Sequence, residues 1–225
     1  MQADIQLLLT ADGSHTVRHE TLGVTYHSIH GAVQESQRVF IELGLQAAFE
    51  RFANVPLRVF EMGFGTGLNA LLTAREAERH GRPVAYTGVE AYPLPPEESQ
   101  KLNFDVALGT TFLNALHASP WHETVNISPF FTLNKQQTSL QNWQTNERFH
   151  LVYYDAFAPS AQPELWEPEI FQRLACFLLP GGLLTTYCSK SYVQRNLRAA
   201  GFTVEKHPGP ARKREVLRAI SPPIL

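Results

Sequence analysis

The 225-residue sequence has little cysteine and no long apolar run. Its two cysteines, Cys176 and Cys188, lack the spacing of metal ligands and are interpreted as buried thiols of a reduced protein. No stretch is apolar over the ~20 residues that a membrane-spanning helix needs. The first residues also lack the charged-then-apolar pattern of a signal peptide. We therefore expect a cytoplasmic protein without a membrane segment.

The sequence also lacks a metal-binding pattern, an internal repeat and a low-complexity segment. Charged residues make up 18% and hydrophobic residues 44%, which is ordinary for a globular protein and excludes wholesale disorder. The histidines show no ligand spacing, so we interpret them as surface or core residues and expect no metal: His15, His19, His27, His30, His80, His117, His122, His150 and His207. The length suits a single domain.

The stretch from Leu57 to Asn69 is the most informative part of the chain. A short apolar run predicts a buried strand, and Gly63, Gly65 and Gly67 follow it before a helical pattern. A strand, glycine turn and helix bring a ligand against bare backbone at a helix N-terminus. The third glycine comes one position too early for the dinucleotide fingerprint G-x-G-x-x-G, and Leu68 stands in its place. This spacing disfavours a nicotinamide enzyme.

The turn with its preceding acid, E-x-G-x-G-x-G, resembles the cofactor loop of class I S-adenosylmethionine methyltransferases. The resemblance implies that the glycines admit the methionine and ribose portions, that Glu61 helps to bind the amino-acid end, and that Asn69 also contacts the cofactor. Glu90 ends the next predicted strand, where a carboxylate accepts hydrogen bonds from ribose hydroxyls. A turn without a ligand and an exposed turn glutamate are the alternatives.

The remaining pattern predicts an α/β fold. Strands alternate with helices, which favours a Rossmann-like, mostly parallel sheet of seven strands with helices on both faces and a C-terminal antiparallel hairpin. Residues 1–54 are predicted to be a small extension packed on the methyltransferase core of residues 55–225, within one domain. Further expectations are a helix over 34–52 interrupted at Gly44, a helix over 104–117, a strand or hairpin over 121–133, and a short helix over 137–143.

Three further segments narrow the resemblance. Asp155–Trp166 (D-A-F-A-P-S-A-Q-P-E-L-W) resembles the D-G-F-A-P-x-x-N-P-x-x-W segment of the methyltransferase domain of the MnmC family. Gly201–Leu217 is similar to the family's C-terminal G-F-x-V-x-K-x-x-G-x-G-R-K-R-E-M-L. Gly31–Phe40 resembles its N-terminal G-L-x-E-S-x-x-V-F. Together these segments extend over nearly the whole chain.

The MnmC resemblance implies methylation of tRNA by S-adenosylmethionine. The acceptor would be the amine of 5-aminomethyl-2-thiouridine at the wobble position, in the anticodon region. The sequence ends at Leu225 without a second glycine-rich unit, so we expect a stand-alone enzyme whose aminomethyl substrate is made elsewhere. Where relatives have an acid that reaches the adenine, this chain has Gln136, whose amide oxygen can still accept hydrogen bonds. Where many relatives have a glycine directly after the aspartate that ends the fourth strand, this chain has Ala156.

Methyl transfer requires a free amine held in line with the departing sulfur. Asp155, at the end of the predicted fourth strand, is the candidate to orient that amine by accepting its hydrogens, with the backbone carbonyls of residues 156–158. Phe157 is the candidate to stack on a flipped-out uracil. A helix cap for Asp155 and core packing for Phe157 are the alternatives.

The C-terminal part of the chain is basic. Residues 190–218 contain eight Lys and Arg against two Glu, although the net charge of the chain is −2. We interpret this part as a phosphate-facing surface, with a solvated surface as the alternative. The residues predicted to contact tRNA are Trp166, Tyr187, Tyr192, Arg212, Lys213 and Arg214.

Other functions remain open at this point. A methyltransferase or aminopropyltransferase acting on a small-molecule amine also carries a glycine turn and later acids. The basic C-terminal part argues against it, and turnover that depends on tRNA would decide. A non-catalytic cofactor or RNA-binding module is disfavoured because Asp155 and Phe157 are both present.

Overall fold

The computed structural model describes residues 5–210 and 213–222. Its strands are β1 Ile5–Leu9, β2 His15–His19, β3 Val24–Thr25, β4 Leu57–Met62, β5 Val84–Glu90, β6 Thr124–Ser128, β7 Phe131–Gln137, β8 Phe149–Tyr154, β9 Leu178–Thr186, β10 Thr203–Pro208 and β11 Glu215–Ile220. Its α-helices are α1 Ala32–Ser36, α2 Ala47–Arg51, α3 Leu68–His80, α4 Pro96–Ser99, α5 Phe104–Leu108, α6 Leu113–Ala118, α7 Pro168–Phe177 and α8 Ser191–Ala199. A π-helical segment, Gln37–Gln46, joins α1 to α2, and a 3-10 turn spans Pro163–Trp166.

One sheet of eight strands forms the centre of the molecule, in the order β10-β11-β9-β8-β4-β5-β7-β6. The five strands from β9 to β7 are parallel to one another, and β6 and the β10–β11 hairpin run antiparallel at the two edges. The predicted parallel sheet and C-terminal hairpin are therefore present. The strand count is eight instead of seven because the segment predicted as a strand or hairpin forms the hairpin β6–β7.

Side chains alternate between the two faces of the sheet, and both faces are covered. In β4, Leu57 and Val59 join the core that contains α3 and the N-terminal helical region, whereas Phe60 and Met62 join the core that contains α7 and α8. Glu61 follows the alternation onto the α3 face and is fully buried. A sheet that is covered on both faces explains why β4 and β8 are apolar almost throughout.

The N-terminal region has two parts. Strands β1, β2 and β3 form a small antiparallel sheet of their own, and the helical region 32–51 packs on α3, β8, β9 and β11. The predicted interruption at Gly44 is wrong, because the π-helical segment passes through it without a break. A Cβ at Gly44 would lie 3.1 Å from Cε1 of Tyr153, so glycine lets this helix approach the sheet closely.

Two other predicted elements differ. The helix expected over 104–117 is broken into α5 and α6 because Gly109 adopts a left-handed conformation (φ 64°) and caps α5. The short helix expected over 137–143 does not form. Instead β7 extends to Gln137, where it pairs with Glu90 of β5. In the described part of the chain, no helix is both long and apolar enough to cross a bilayer.

Candidate active site

The glycine turn lies at the carboxyl end of β4, between the ends of β5 and β8, where ligands bind in open α/β sheets. Gly63 and Gly65 have φ angles of 91° and 49°, a region that side chains disfavour. A Cβ at Gly63 would lie only 2.6 Å from the carbonyl oxygen of Asp155. The glycine therefore allows the turn to pack directly against the end of β8.

Two buried carboxylates at the carboxyl ends of these strands accept hydrogen bonds from the same side-chain amide. Asn69 Nδ2, in the first turn of α3, donates to Glu61 Oε1 at 2.9 Å and to Asp155 Oδ2 at 2.8 Å. Glu61 Oε2 and Asn69 Oδ1 are buried without a hydrogen-bond partner among the described residues. Buried polar atoms without partners are costly, so a polar ligand that reached these two atoms would satisfy them.

The environment changes the acidity of both carboxyl groups. Burial raises the pKa of Glu61 well above its usual range. Burial, with the nearby negative charge of Glu35, raises the pKa of Asp155 to about 7, although Asn69 and Lys213 oppose the shift. Asp155 therefore titrates close to neutral pH, the range in which a carboxylate exchanges protons with a neighbouring amine most readily.

Glu90, at the end of β5, is fixed by two backbone groups. Its Oε2 accepts a hydrogen bond from Gly65 N at 3.0 Å, and its Oε1 accepts one from Tyr92 N at 2.9 Å. Burial raises the pKa of this carboxyl, and the backbone hydrogen bonds partly offset that effect. A carboxylate has about four lone-pair sites, so Glu90 can still accept a hydrogen bond from a hydroxyl group of a ligand.

A first cavity of about 240 Å³ is lined by Gly63 and Gly65 of the glycine turn and by Asn69, Glu90, Asp155 and Phe157. Gly67 and Glu61 do not line it, and Glu61 lies behind Asn69. The N-terminal region forms its roof. The Tyr26 ring lies over Gly65 and meets Phe157 edge-to-face, with 4.9 Å between ring centroids. His27 Nε2 lies 2.7 Å from Thr66 Oγ1, and burial lowers the pKa of His27 to about 4, so its ring is neutral at physiological pH.

A second cavity of about 620 Å³ adjoins the first. The two cavities have four lining residues in common, namely Tyr26, His27, Ala156 and Phe157. The second cavity extends from this shared wall to Glu35, Tyr187 and Lys213. Tyr26 and His27 lie in a short segment without a motif that marks a ligand contact, and Glu35 lies in the Gly31–Phe40 segment, for which no ligand contact was predicted.

Comparisons with known proteins agree with this arrangement. A family model described as S-adenosyl-L-methionine-dependent methyltransferase matches residues 124–222. The tRNA 5-methylaminomethyl-2-thiouridine biosynthesis bifunctional protein MnmC of Pseudoalteromonas atlantica is 32% identical over 239 residues, covering 97% of this chain and 33% of that protein. The crystal structure of MnmC2 from Aquifex aeolicus matches with a TM-score of 0.76 at 25% identity, over 99% of this chain and 73% of that one. The chain belongs to the S-adenosyl-L-methionine-dependent methyltransferases.

The predicted class I fold and the predicted cofactor, S-adenosylmethionine, are thereby confirmed for this methyltransferase. The chain spans about a third of the length of the curated MnmC relatives that it matches. Spermidine synthase from Thermotoga maritima shares the fold alone, with a TM-score of 0.58 at 14% identity over 98% of this chain and 70% of that one.

Two of the aromatic residues that were predicted to contact the substrate form hydrogen bonds to the backbone of the 155–158 loop. Trp166 is only 1% exposed, so the prediction that it lies on a tRNA-facing surface is wrong; its Nε1 donates to the carbonyl of Phe157 at 2.9 Å. Tyr187 donates to the carbonyl of Ala156 at 2.8 Å, and its ring lines the second cavity. Tyr192 is half-buried against the core around α7 and α8. The first two residues hold the 155–158 loop of the methyltransferase in place.

The predicted polar contacts also change. The Gln136 amide bonds to Asn134 and His122 and does not line the first cavity, so the structure gives it no adenine contact. Lys213 is paired with Glu35, from which it is separated by 178 positions in the chain, and is not a free phosphate-binding cation. Arg214 is exposed as predicted, and Arg212 lies outside the described residues.

Other basic residues of the C-terminal part are paired as well. Lys206 binds Glu215 at 3.2 Å, and Arg218 binds Glu205 at 2.7 Å. Among the described residues of this part of the methyltransferase, the exposed cations are Lys190, Arg195, Arg198, Lys206 and Arg214, of which Lys206 is paired with Glu215. No group of three or more metal-binding side chains occurs within residues 5–210 and 213–222.

Proposed function

We propose that this methyltransferase transfers the methyl group of S-adenosylmethionine to the amine of 5-aminomethyl-2-thiouridine at the wobble position of tRNA. The observation that carries the proposal is Asp155, a carboxylate with a pKa of about 7, beside a wall that two cavities share. The similarity of nearly the whole chain to MnmC, a tRNA 5-methylaminomethyl-2-thiouridine biosynthesis protein, supports the choice of substrate. Such an enzyme acts in the cytoplasm, where tRNA is modified.

The residues that line the first cavity, together with Glu61 behind Asn69, fit the proposed cofactor. Glu61 Oε2 and Asn69 Oδ1 lack partners and together would accept hydrogens from the α-ammonium group. A cation beside Glu61 favours the charged form of that carboxyl, which burial alone disfavours. Glu90 would accept the ribose hydroxyls with its free lone pairs, and the glycine turn would leave room for the chain between them.

When bound, the cofactor supplies an electrophilic methyl group on a sulfonium. The protein must hold a neutral amine about 3–3.5 Å from that carbon, because an ammonium has no lone pair to donate. Asp155 is placed to accept the amine hydrogens, and its raised pKa allows it to take up a proton near neutral pH. Phe157 lines both cavities and would pack against the ring of the acceptor.

Labelled S-adenosylmethionine tests the proposal directly. The protein is incubated with tRNA from a strain that lacks this methylation, and the tRNA is then digested to nucleosides. The label is expected in 5-methylaminomethyl-2-thiouridine. Label in another nucleoside would refute the proposed acceptor. Label transferred to small amines, and none to tRNA, would favour a small-molecule methyltransferase instead.

The ribose assignment predicts the behaviour of a Glu90→Ala variant. Losing hydrogen bonds to a charged acceptor costs about 1.5–3 kcal/mol, so the Kd for S-adenosylmethionine should rise roughly ten- to a hundredfold. Isothermal titration calorimetry measures this change. Glu123→Ala, which removes an exposed glutamate, is the control and should bind normally. Equal affinities of the two variants would remove Glu90 from the cofactor site.

A phosphate contact by Arg214 predicts a change in salt dependence. Arg214 is exposed and forms no ion pair with the described residues, so Arg214→Ala should weaken binding of every tRNA alike. The slope of log K against log salt should fall by about 0.7–0.9 for the lost contact. Arg148→Ala is the control, because Arg148 is exposed and precedes β8, at the opposite end of the strands from Arg214. An unaltered slope in Arg214→Ala would make Arg214 a solvated residue.

A further inference from the structure

The second cavity has the shape and the walls of a site for a planar ring. Its volume of about 620 Å³ lies within the range of roughly 300–1,000 Å³ found for small-molecule sites. Phe157, Tyr26 and Tyr187 supply aromatic surface to its lining, and Leu8 and Ile29 supply aliphatic surface. Because Phe157 and Ala156 also line the first cavity, a substituent on a ring held here reaches the first cavity directly.

The wall of the second cavity contains one ion pair, of which only the carboxylate is buried. Glu35 in α1 has a side chain that is 8% exposed, and it pairs with Lys213 of the C-terminal hairpin, whose side chain is 36% exposed. Arg18, the remaining charged side chain of the described lining, is 46% exposed and lies 3.8 Å from Glu20. A buried ion pair seldom adds much to stability, since desolvation offsets its attraction. The position of this pair on a cavity wall indicates a binding role.

Both members of the pair retain hydrogen-bonding capacity. Glu35 Oε2 accepts Ser28 N at 3.0 Å and Oε1 accepts Lys213 Nζ, so each oxygen has a second lone pair. Lys213 Nζ donates to Glu35 and lies 4.2 Å from the centroid of the Tyr187 ring, which leaves N–H groups free. The wall therefore offers an acceptor and a donor side by side.

We propose that the second cavity binds the pyrimidine ring of the acceptor, with Glu35 accepting the ring N3–H and Lys213 donating to an adjacent ring carbonyl or thiocarbonyl. A pyrimidine dione or its 2-thio analogue has N3–H flanked by such acceptors on both sides, so the match holds in either orientation. Cytosine bound in the same position has no N3–H and would instead place its N3 lone pair against the Glu35 carboxylate. The inference rests on the proposed function and adds specificity-determining residues to it.

The test uses two synthetic anticodon stem–loop RNAs. One carries 5-aminomethyl-2-thiouridine at the wobble position, and the other carries its N3-methyl derivative, which has the same amine but no N3–H. The wild-type kcat/KM should be about ten- to a hundredfold higher for the first RNA, as expected for a hydrogen bond to a charged acceptor. Glu35→Gln, whose amide oxygen still accepts Ser28 N, should lose this preference.

Lys213→Met should lower kcat/KM for the first RNA about tenfold, since one hydrogen bond from a charged donor is removed. It should retain the preference for N3–H. Lys206→Met makes the same change in the same hairpin, at a lysine paired with Glu215, and should behave as wild type. Melting temperature and cofactor affinity are measured for each variant, and neither should change when the preference for the RNA with N3–H is lost.

The outcomes separate the inference from the proposed function. If the wild type methylates neither RNA, the proposed function is wrong. If it methylates both RNAs equally well, the function stands and the inference is overturned. A Glu35→Gln protein that keeps the full preference also overturns the inference. So does one that loses activity on both RNAs in equal proportion together with its melting temperature, because Glu35 would then be a structural contact.

Discussion

An Asp155→Asn protein is expected to lose about a hundred- to ten-thousandfold of its turnover, the usual contribution of a positioned acid or base. Its affinity for S-adenosylmethionine should stay within a few-fold, because an asparagine oxygen can still accept the hydrogen bond from Asn69. Single-turnover kinetics and calorimetry measure the two quantities. Glu147→Gln, an exposed carboxylate-to-amide change, is the matched control and should be fully active. Loss of activity and of cofactor affinity in proportion would assign Asp155 to the cofactor site or the fold.

The same variant should change the pH profile. Asp155 must be ionised to accept the amine hydrogens, and its pKa is raised to about 7. The kcat/KM of the wild type should therefore fall as the pH drops through about 7. In Asp155→Asn this dependence should disappear, leaving only that of the acceptor amine. A wild-type profile without a group near 7 would contradict the role of Asp155.

A Gly63→Ala protein is expected to lose measurable binding of S-adenosylmethionine and to melt at a lower temperature than wild type. Two costs combine at this position. The left-handed conformation costs an alanine about 1–2 kcal/mol. In addition, the new Cβ would meet the carbonyl oxygen of Asp155 at 2.6 Å, which forces the glycine turn away from β8. Calorimetric titration and thermal melting measure the two effects.

Gly109→Ala is a control that isolates the second cost. Gly109 also has a left-handed φ, 64°, but an added Cβ there meets nothing within 4 Å. Gly109→Ala should lower the melting temperature by roughly 2–4 °C for each kcal/mol lost and leave cofactor affinity unchanged. If Gly63→Ala matched Gly109→Ala in both measurements, the close contact between the turn and β8 would not matter for the site.

The parts of the site that the sequence predicted are those with a local pattern. The glycine turn, Glu61, Glu90 and Asp155 each end or follow a buried apolar run, and strands with such runs pair in parallel with their ends together. The geometry of a parallel sheet alone therefore brings these groups together at the carboxyl ends of the strands. The roles of these residues remain predictions that the proposed experiments test.

The contacts that the sequence did not predict either join distant parts of the chain or come from segments without a motif. The Glu35–Lys213 pair joins residues 178 positions apart. The roof over the first cavity comes from Tyr26 and His27, which follow a strand of only two residues. Trp166 was misplaced because a tryptophan in a proline-rich loop resembles a surface residue. Its indole instead packs inside the molecule and bonds to the loop that carries Phe157.

The Glu35–Lys213 pair also has a consequence for the order in which the molecule is assembled. Every residue lining the first cavity lies between positions 19 and 162, whereas the second cavity also needs Tyr187 and Lys213. Synthesis proceeds from the N-terminus, so the chain that completes the second cavity is made last. The methyl-donor side thus has no residue of the final hairpin among its walls, whereas the acceptor side is complete only when that hairpin closes onto α1.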